Sequence, residues 1–277
     1  AAIGLAAAIL EKREPGVIIG SFAADHVIKG TRFFNMAVAE AVEAARAGFI
    51  ATIGIVPTEP AIGFGYIHAT EETELEGAPS ALKVDSFVEK PNAHTAEEYV
   101  ESGDYLWNAG MFITKASVLL EELAKTQPEL HAGVVALAEV WDDHAKRGPA
   151  VDKIWPTLKK IAIDYAVAEP AAAAGKLVVI PGEFDWDDVG DFASIAKLHS
   201  SGYKKDLAIL GEGARVLSDA SSGILITDTG RTIALVGVKD IVVVDTPDAL
   251  LVTTTANAQK VKSVVDALRI SGRDDVL

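Results

Sequence analysis

Between Gly16 and Ile55 the hydrophobic period of the chain changes twice, and no other feature limits its possible folds as strongly. Gly16-Val17-Ile18-Ile19-Gly20-Ser21-Phe22 is a continuous apolar run with β-branched residues, which predicts a strand buried on both faces. From Thr31 to Ala47 the residues Phe34, Val38, Val42 and Ala45 fall on one helical stripe, and Gly48 supplies a stop. Phe49 to Ile55 returns to strand character. Strand, helix and strand with short connections form a βαβ unit, which predicts a parallel sheet covered by helices. Such sheets bind ligands beyond the carboxyl ends of their strands, and Asp25 stands just past one of these ends.

The same alternation continues downstream. Gly65 to Ala69 and Lys83 to Val88 are strand-like, separated by an acidic loop. Thr95-Ala96-Glu97-Glu98 has the form of a capping box, predicting a short helix that Gly103 closes. Leu106 to Lys115 is again strand-like, about Ala116 to Ala145 forms a long helical region, and Leu177 to Pro181 is a further strand. The opening apolar segment from Ala1 to Leu10 reads as a buried helix, too short to span a bilayer and without a basic flank.

From about Leu207 the style changes. Short apolar runs recur at Gly223 to Ile226, Thr232 to Val236, Ile241 to Val244 and Leu250 to Val252, with turns at Asp228-Thr229-Gly230 and Thr246-Pro247-Asp248. This spacing predicts a small β-rich module, a sandwich or a few coils of β-helix. A length of 277 residues accommodates one large domain and one small one. The boundary is expected near Tyr203 to Leu210, dividing residues 1–205 from residues 206–277.

A formal net charge of −15 argues against general nucleic-acid binding, which needs clustered Lys and Arg. An acidic protein binds phosphorylated substrates only where divalent cations or placed basic residues offset the repulsion, so metal dependence is expected. With no cysteine, disulfides, thiolate nucleophiles and zinc-thiolate sites are excluded, and a cytoplasmic setting fits. No membrane partner is expected.

Several short stretches could carry chemistry. Asp25 and His26 follow the first predicted strand; taken alone, a turn or helix-capping role accounts for Asp25. Gly63 and Gly65 flank Phe64 after Pro57 and Pro60, where backbone amides could approach a sugar or phosphate, or simply form a tight turn. Glu89-Lys90-Pro91 ends an apolar run with opposite charges, either a solvated ion pair or a carboxylate for sugar hydroxyls beside an ammonium for a phosphate. Trp107-Asn108-Ala109-Gly110 offers an amide with both donor and acceptor, and a glycine that leaves space. Asp164, at a helix start, is either a cap or ligand-facing. Asp185, Asp187, Asp188 and Asp191 surround Trp186, and so dense a cluster repels itself unless it is solvated or holds a divalent ion.

Taken in order, these stretches resemble the nucleotidyltransferases that activate sugar 1-phosphates, specifically the guanylyltransferases acting on mannose 1-phosphate. The matching segments are Phe22-Ala23-Ala24-Asp25-His26, Gly63-Phe64-Gly65-Tyr66-Ile67, Phe87-Val88-Glu89-Lys90-Pro91, Trp107 to Phe112, Ile163-Asp164-Tyr165-Ala166 and Trp186-Asp187-Asp188-Val189-Gly190, with Val243 to Val252 in the tail. The resemblance implies an α/β fold: a Rossmann-like domain with a mixed, mainly parallel sheet, plus a small C-terminal β-helix-like module. It implies transfer of a guanylyl group from GTP to mannose 1-phosphate, with Asp25 and Asp188 holding Mg²⁺ and Lys90 meeting the sugar phosphate. Glu89, Asn108, Gly110 and Asp164 would bind the sugar, which the Gly63 to Gly65 turn would approach by its backbone.

Two departures accompany the resemblance. Ile62 stands where the family usually has a hydroxyl residue. The family's glycine-rich loop for the nucleotide phosphates is not in this sequence; it belongs on a βα unit before Ala1, so residues 1–277 alone are not expected to turn over GTP. Two alternatives remain open, a related transferase of other sugar or base specificity and a catalytically silent subunit that binds nucleotide sugar. The apolar strands of the tail could support a homodimer.

Overall fold

A computed structural model describes residues 1–199 and 207–276. The chain divides into two compact units, Ala1–Ala24 with Ile28–Trp186, and Asp25–Val27 with Asp187–Leu277. The boundary expected at residues 205 and 206 lies outside the described residues.

In chain order the elements up to Asp187 are α1 (Ala2–Arg13), β1 (Ile18–Ser21), β2 (Val27–Lys29), α2 (Thr31–Arg46), β3 (Ile50–Ile55), β4 (Gly65–Glu72), β5 (Leu82–Glu89), α3 (Ala93–Ser102), β6 (Tyr105–Lys115), α4 (Ala116–Thr126), α5 (Pro128–Val140), α6 (His144–Ile154), α7 (Glu169–Ala173), β7 (Leu177–Pro181) and β8 (Asp185–Asp187). A one-turn π-helix, Asp164–Ala168, precedes α7. The helical region expected from about Ala116 to Ala145 is divided between α4 and α5, with α6 starting at its end. Pro128 opens α5 and holds Gln127 outside the helical region, at φ −140° and ψ 65°, which stops α4. Asp143 caps α6 by accepting from the amides of Ala145 and Lys146. The cap of α3 is Asn92 rather than Thr95: the Asn92 side chain accepts from the Thr95 amide, and the helix starts earlier than the capping-box pattern suggested.

The first unit is built on a six-stranded sheet of order β1-β6-β3-β7-β5-β4. The sheet is mixed, as expected, but "mainly parallel" needs correction. Of the pairings in this sheet among the described residues, only β3–β7 is parallel; β1–β6, β3–β6, β4–β5, β4–β6 and β5–β7 are antiparallel. The cause is β6, which runs between β1 and β3. Those two strands are parallel to each other, as the βαβ pattern requires, but they are not neighbours.

Each face of the sheet is covered by its own core. Leu5 of α1, Leu119 and Leu123 of α4, and Leu130, Val134 and Leu137 of α5 pack with Leu177 and Val179 on one face. Ala37, Ala41, Ala44 and Ala45 of α2 lie with Ile53, Met111, Val178 and Ile180 on the other. Residues 177 to 180 thus alternate between the two cores, as the period of a strand dictates. Near the edge of the first core, Glu122 of α4 is buried at 3% exposure, and its carboxylate lies 2.7 Å from both Lys125 and Lys176.

In the second unit α8 (Phe192–His199) is capped by Asp191, which accepts from the amides of Ala193 and Ser194. There follow β9 (Leu207–Leu210), β10 (Arg215–Asp219), β11 (Gly223–Thr227), β12 (Thr232–Val236), β13 (Ile241–Asp245), β14 (Leu250–Thr254) and α9 (Val261–Ile270). β9, β11 and β13 pair in parallel in one sheet, closed by an antiparallel β14, while β10 and β12 pair in parallel in a second sheet. Alternate strands going to alternate sheets produce β-helix coils, whose interior holds Leu225, Leu235 and Val243. At Gly223, φ is +126° and an added Cβ would stand 2.0 Å from the Ile241 carbonyl oxygen, so only glycine lets these coils stack.

Candidate functional site

Five of the candidate residues meet where β4, β5 and β6 run side by side. Gly65 begins β4 opposite Glu89 at the end of β5, and Trp107 of β6 pairs with Tyr66. An added Cβ at Gly65 would lie 2.6 Å from Glu89 Oε2 and 3.4 Å from Asn108 Cβ, so glycine here lets the two side chains close over the backbone. The Glu89 side chain is 9% exposed and its Oε1 lies 3.5 Å from Lys90 Nζ. Lys90 itself has φ +50°, left-handed for a residue with a side chain, and its amide donates to the Phe64 carbonyl at 3.2 Å.

Asn108 is buried, with its amide group largely committed. Its Oδ1 accepts from Thr52 Oγ1 at 2.8 Å and from the Gly110 amide at 3.2 Å, while its Nδ2 donates to Asp164 Oδ1 at 3.0 Å. Both acceptor positions are therefore filled, and one N–H is left for a ligand. Gly110 has open space where a Cβ would stand but φ +67°, so it is the left-handed turn that calls for glycine. Asp164 opens the π-helix, a geometry common at functional positions, and turns its carboxylate to Asn108.

These carboxyls lie in an unusual electrostatic setting. Burial pushes Glu89 up, the Asp164 charge adds to this, and Lys90 opposes it. Asp164 is also raised, again chiefly by burial, against its own backbone bond, the Lys90 charge and the Asn108 hydrogen bond. Gly63 lies in the bend before β4, beside Ile62, which is 49% exposed.

Asp25 and Asp188 belong to the second unit. Asp25 is exposed. Asp188 is half-buried; burial raises its carboxyl, the Gly190 amide lowers it, the charges of Asp187 and Asp191 raise it and His26 lowers it. Val189 next to it has φ +44°, a strained value for a β-branched residue, and its amide donates to Asp187 Oδ1 at 3.0 Å. Among the described residues no group of three or more His, Cys, Asp or Glu is gathered as an all-protein metal cage. A hard cation that keeps water and substrate phosphates as most of its ligands fits this donor set, because two carboxylates suffice for it.

Sequence reasoning missed Thr52, which holds Asn108, and Phe64, whose ring packs against Trp107 and Trp186. The Phe64 signal was present in an aromatic residue between two glycines. Thr52 looks like any other residue of a buried strand.

Residues 1–204 match the model of the family described as nucleotidyl transferase. Residues 213–268 match a domain described as mannose-phosphate isomerase/GMP-like beta-helix. A mannose-1-phosphate guanylyltransferase of Escherichia coli (strain K12) is 34% identical over 276 residues, which are 99% of this chain and 56% of that protein. One from Salmonella typhimurium is 35% identical, covering 91% of this chain and 51% of its own. This chain thus spans about half the length of these curated relatives. A crystal structure from Thermus thermophilus, described as a mannose-1-phosphate geranyltransferase, has a TM-score of 0.79 at 28% identity, covering 96% of this chain and 75% of that one. No helix among the described residues is long and apolar enough to cross a membrane. With a family model matched over residues 1–204 and the mixed α/β sheet described above, the chain belongs to the nucleotidyl transferase family.

Proposed function

We propose that the protein containing these residues transfers a guanylyl group from GTP to mannose 1-phosphate, forming GDP-mannose and releasing pyrophosphate. The observation that carries this reading is the approach of Glu89 and Asn108 over Gly65, with Lys90 beside Glu89 and Asp164 bonded to Asn108, in a chain whose relatives are named for that activity.

In this reading Glu89, when ionised, accepts from neighbouring sugar hydroxyls, and the remaining N–H of Asn108 donates to another. Asp164 orients Asn108 and offers its second oxygen to the sugar. Gly63 and Gly65 admit the sugar to their backbone, Gly110 shapes the turn after Asn108, and the Lys90 ammonium meets the sugar phosphate as a positioning charge. A phosphate oxygen of mannose 1-phosphate attacks the α-phosphorus of GTP, and the bond to the bridging oxygen breaks as pyrophosphate leaves. No general base is needed because the nucleophile is already ionised. Asp25 and Asp188 are the residues we assign to Mg²⁺, which when bound screens the two anionic substrates and orients the displacement. A homodimeric enzyme of the cytoplasm is the setting we assign to it.

The test is pyrophosphate release by the full-length protein with mannose 1-phosphate and GTP, ATP or UTP, with and without Mg²⁺. Release with GTP that depends on Mg²⁺ is expected; no release with any nucleotide overturns the reading. Asp188→Asn should lower turnover by more than about a hundredfold, the scale of losing several kcal/mol of charge stabilisation, while the far-ultraviolet circular dichroism spectrum keeps its folded form. Near-normal turnover would remove Asp188 from the metal site.

A further inference from the structure

The segment from Val56 to Phe64 has no regular structure, and Gly63 and Gly65 give its end wide conformational freedom. It is nevertheless held at three points. The Tyr66 hydroxyl donates to the Ala61 carbonyl at 3.0 Å and so closes the loop on itself. The Phe64 carbonyl accepts the Lys90 amide at 3.2 Å. The Phe64 ring lies between two tryptophans, 5.0 Å from Trp107 at 63° and 5.2 Å from Trp186 at 60°. Both geometries are edge or tilted contacts that aromatic rings favour.

Three contacts of the Phe64 turn lead to candidate residues. Trp107 precedes Asn108 on β6, Gly65 lies against Glu89, and the bond from the Phe64 carbonyl ends on Lys90, whose left-handed φ of +50° needs an external restraint. Gly63 and Gly65 have no side chain to restrain the turn, so the ring between them supplies that restraint.

We infer that Phe64 is a positioning residue for sugar-phosphate binding: clamped by Trp107 and Trp186, it fixes the Gly63–Gly65 backbone and, through its carbonyl, the backbone of Lys90. This rests on the mannose 1-phosphate reading above. It touches no reacting atom, so its loss should weaken the sugar phosphate and leave the nucleotide largely alone.

The experiment compares full-length wild type with Phe64→Ala, Phe64→Leu and Phe64→Tyr. It measures Kd for mannose 1-phosphate by titration calorimetry, KM for each substrate and kcat by pyrophosphate release, and hydrogen exchange of the Lys90 amide. Phe64→Ala is expected to raise Kd and KM for mannose 1-phosphate about tenfold, on the scale that a small misplacement of positioned groups costs. The KM for GTP should stay within about twofold, because no group of this turn is assigned to the nucleotide, whereas kcat falls to the extent that the sugar phosphate is misplaced. Lys90 exchange should quicken, and Phe64→Tyr, which keeps the ring, should restore all three. If Phe64→Ala fails to fold, Phe64→Leu carries the same expectation. Unchanged sugar-phosphate affinity in both, or equal losses in kcat and in the KM for GTP, overturns the inference. Wild type that binds mannose 1-phosphate but releases no pyrophosphate sinks the transferase reading, and the calorimetry still decides the role of Phe64. Wild type that binds no mannose 1-phosphate sinks both.

Discussion

At the scale of residues, Glu89 and Lys90 form a unit whose charges set one another's chemistry. Glu89 sits above the usual carboxylate range because burial disfavours its ion and Asp164 repels it, while Lys90 pulls it back down. Sugar binding through an ionised Glu89 is therefore expected to fail, as pH falls, above the ordinary glutamate value of about 4.3. Lys90→Met removes the lowering charge, so the acid limb of mannose 1-phosphate affinity should move to still higher pH; calorimetry across a pH series checks this, and an unmoved limb contradicts it. The raised carboxyl also has a folding consequence. Its stabilising contribution is complete below the unfolded pKa and is lost as pH rises through the folded one, so at pH 7 Glu89 is a cost. Glu89→Gln should accordingly raise the melting temperature while weakening sugar binding. The residue types of this site could be read from the sequence as a carboxylate, an ammonium and an amide. That the amide of Asn108 is held from both sides could not, because Thr52, which donates to its oxygen, and Asp164, which accepts from its nitrogen, are each 56 positions away.

At the scale of elements, hydrophobic period located most of the strands and helices and failed where termination depends on local chemistry. The helical region after β6 is interrupted at Gln127-Pro128, where the proline ends one helix and opens the next. In the β-helix coils the decisive element feature is Gly223. Gly223→Ala would place a methyl against the Ile241 carbonyl at a φ that alanine resists, and should destabilise the second unit by about 3 kcal/mol or more. Urea unfolding followed by far-ultraviolet dichroism measures this, and a change below about 1 kcal/mol would show that the coils can relax around the methyl. Glu122 links α4 to the start of β7 through Lys176. Burial pushes its carboxyl up, but the bonds and charges of Lys125 and Lys176 outweigh this and hold it below the usual range. With a depressed folded pKa, its contribution is present above the unfolded value and disappears as pH falls through the folded one. Glu122→Gln should therefore cost about 1.5–3 kcal/mol at pH 7, as for a hydrogen bond to a charged group, and nothing at low pH, seen as converging melting curves.

At the scale of the whole molecule, a net charge of −15 repels itself, and mobile ions shorten the range of that repulsion. Raising the salt from about 0.01 M to about 0.2 M, over which the Debye length falls severalfold, should raise the melting temperature; a fall would mean that ion pairs outweigh the repulsion. By itself the sequence determined the α/β class, the switch to a β-rich C-terminal module, and the residue types of the candidate site. These are properties of local period and composition, and burial enforces them segment by segment. Only the tertiary structure decided that β6 enters antiparallel between β1 and β3, that Asn108 spends its acceptors on Thr52 and Gly110, and that Phe64 lies between two tryptophans. An apolar run is equally satisfied with a neighbour of either direction, and a side chain's partners depend on which distant strand the sheet brings beside it.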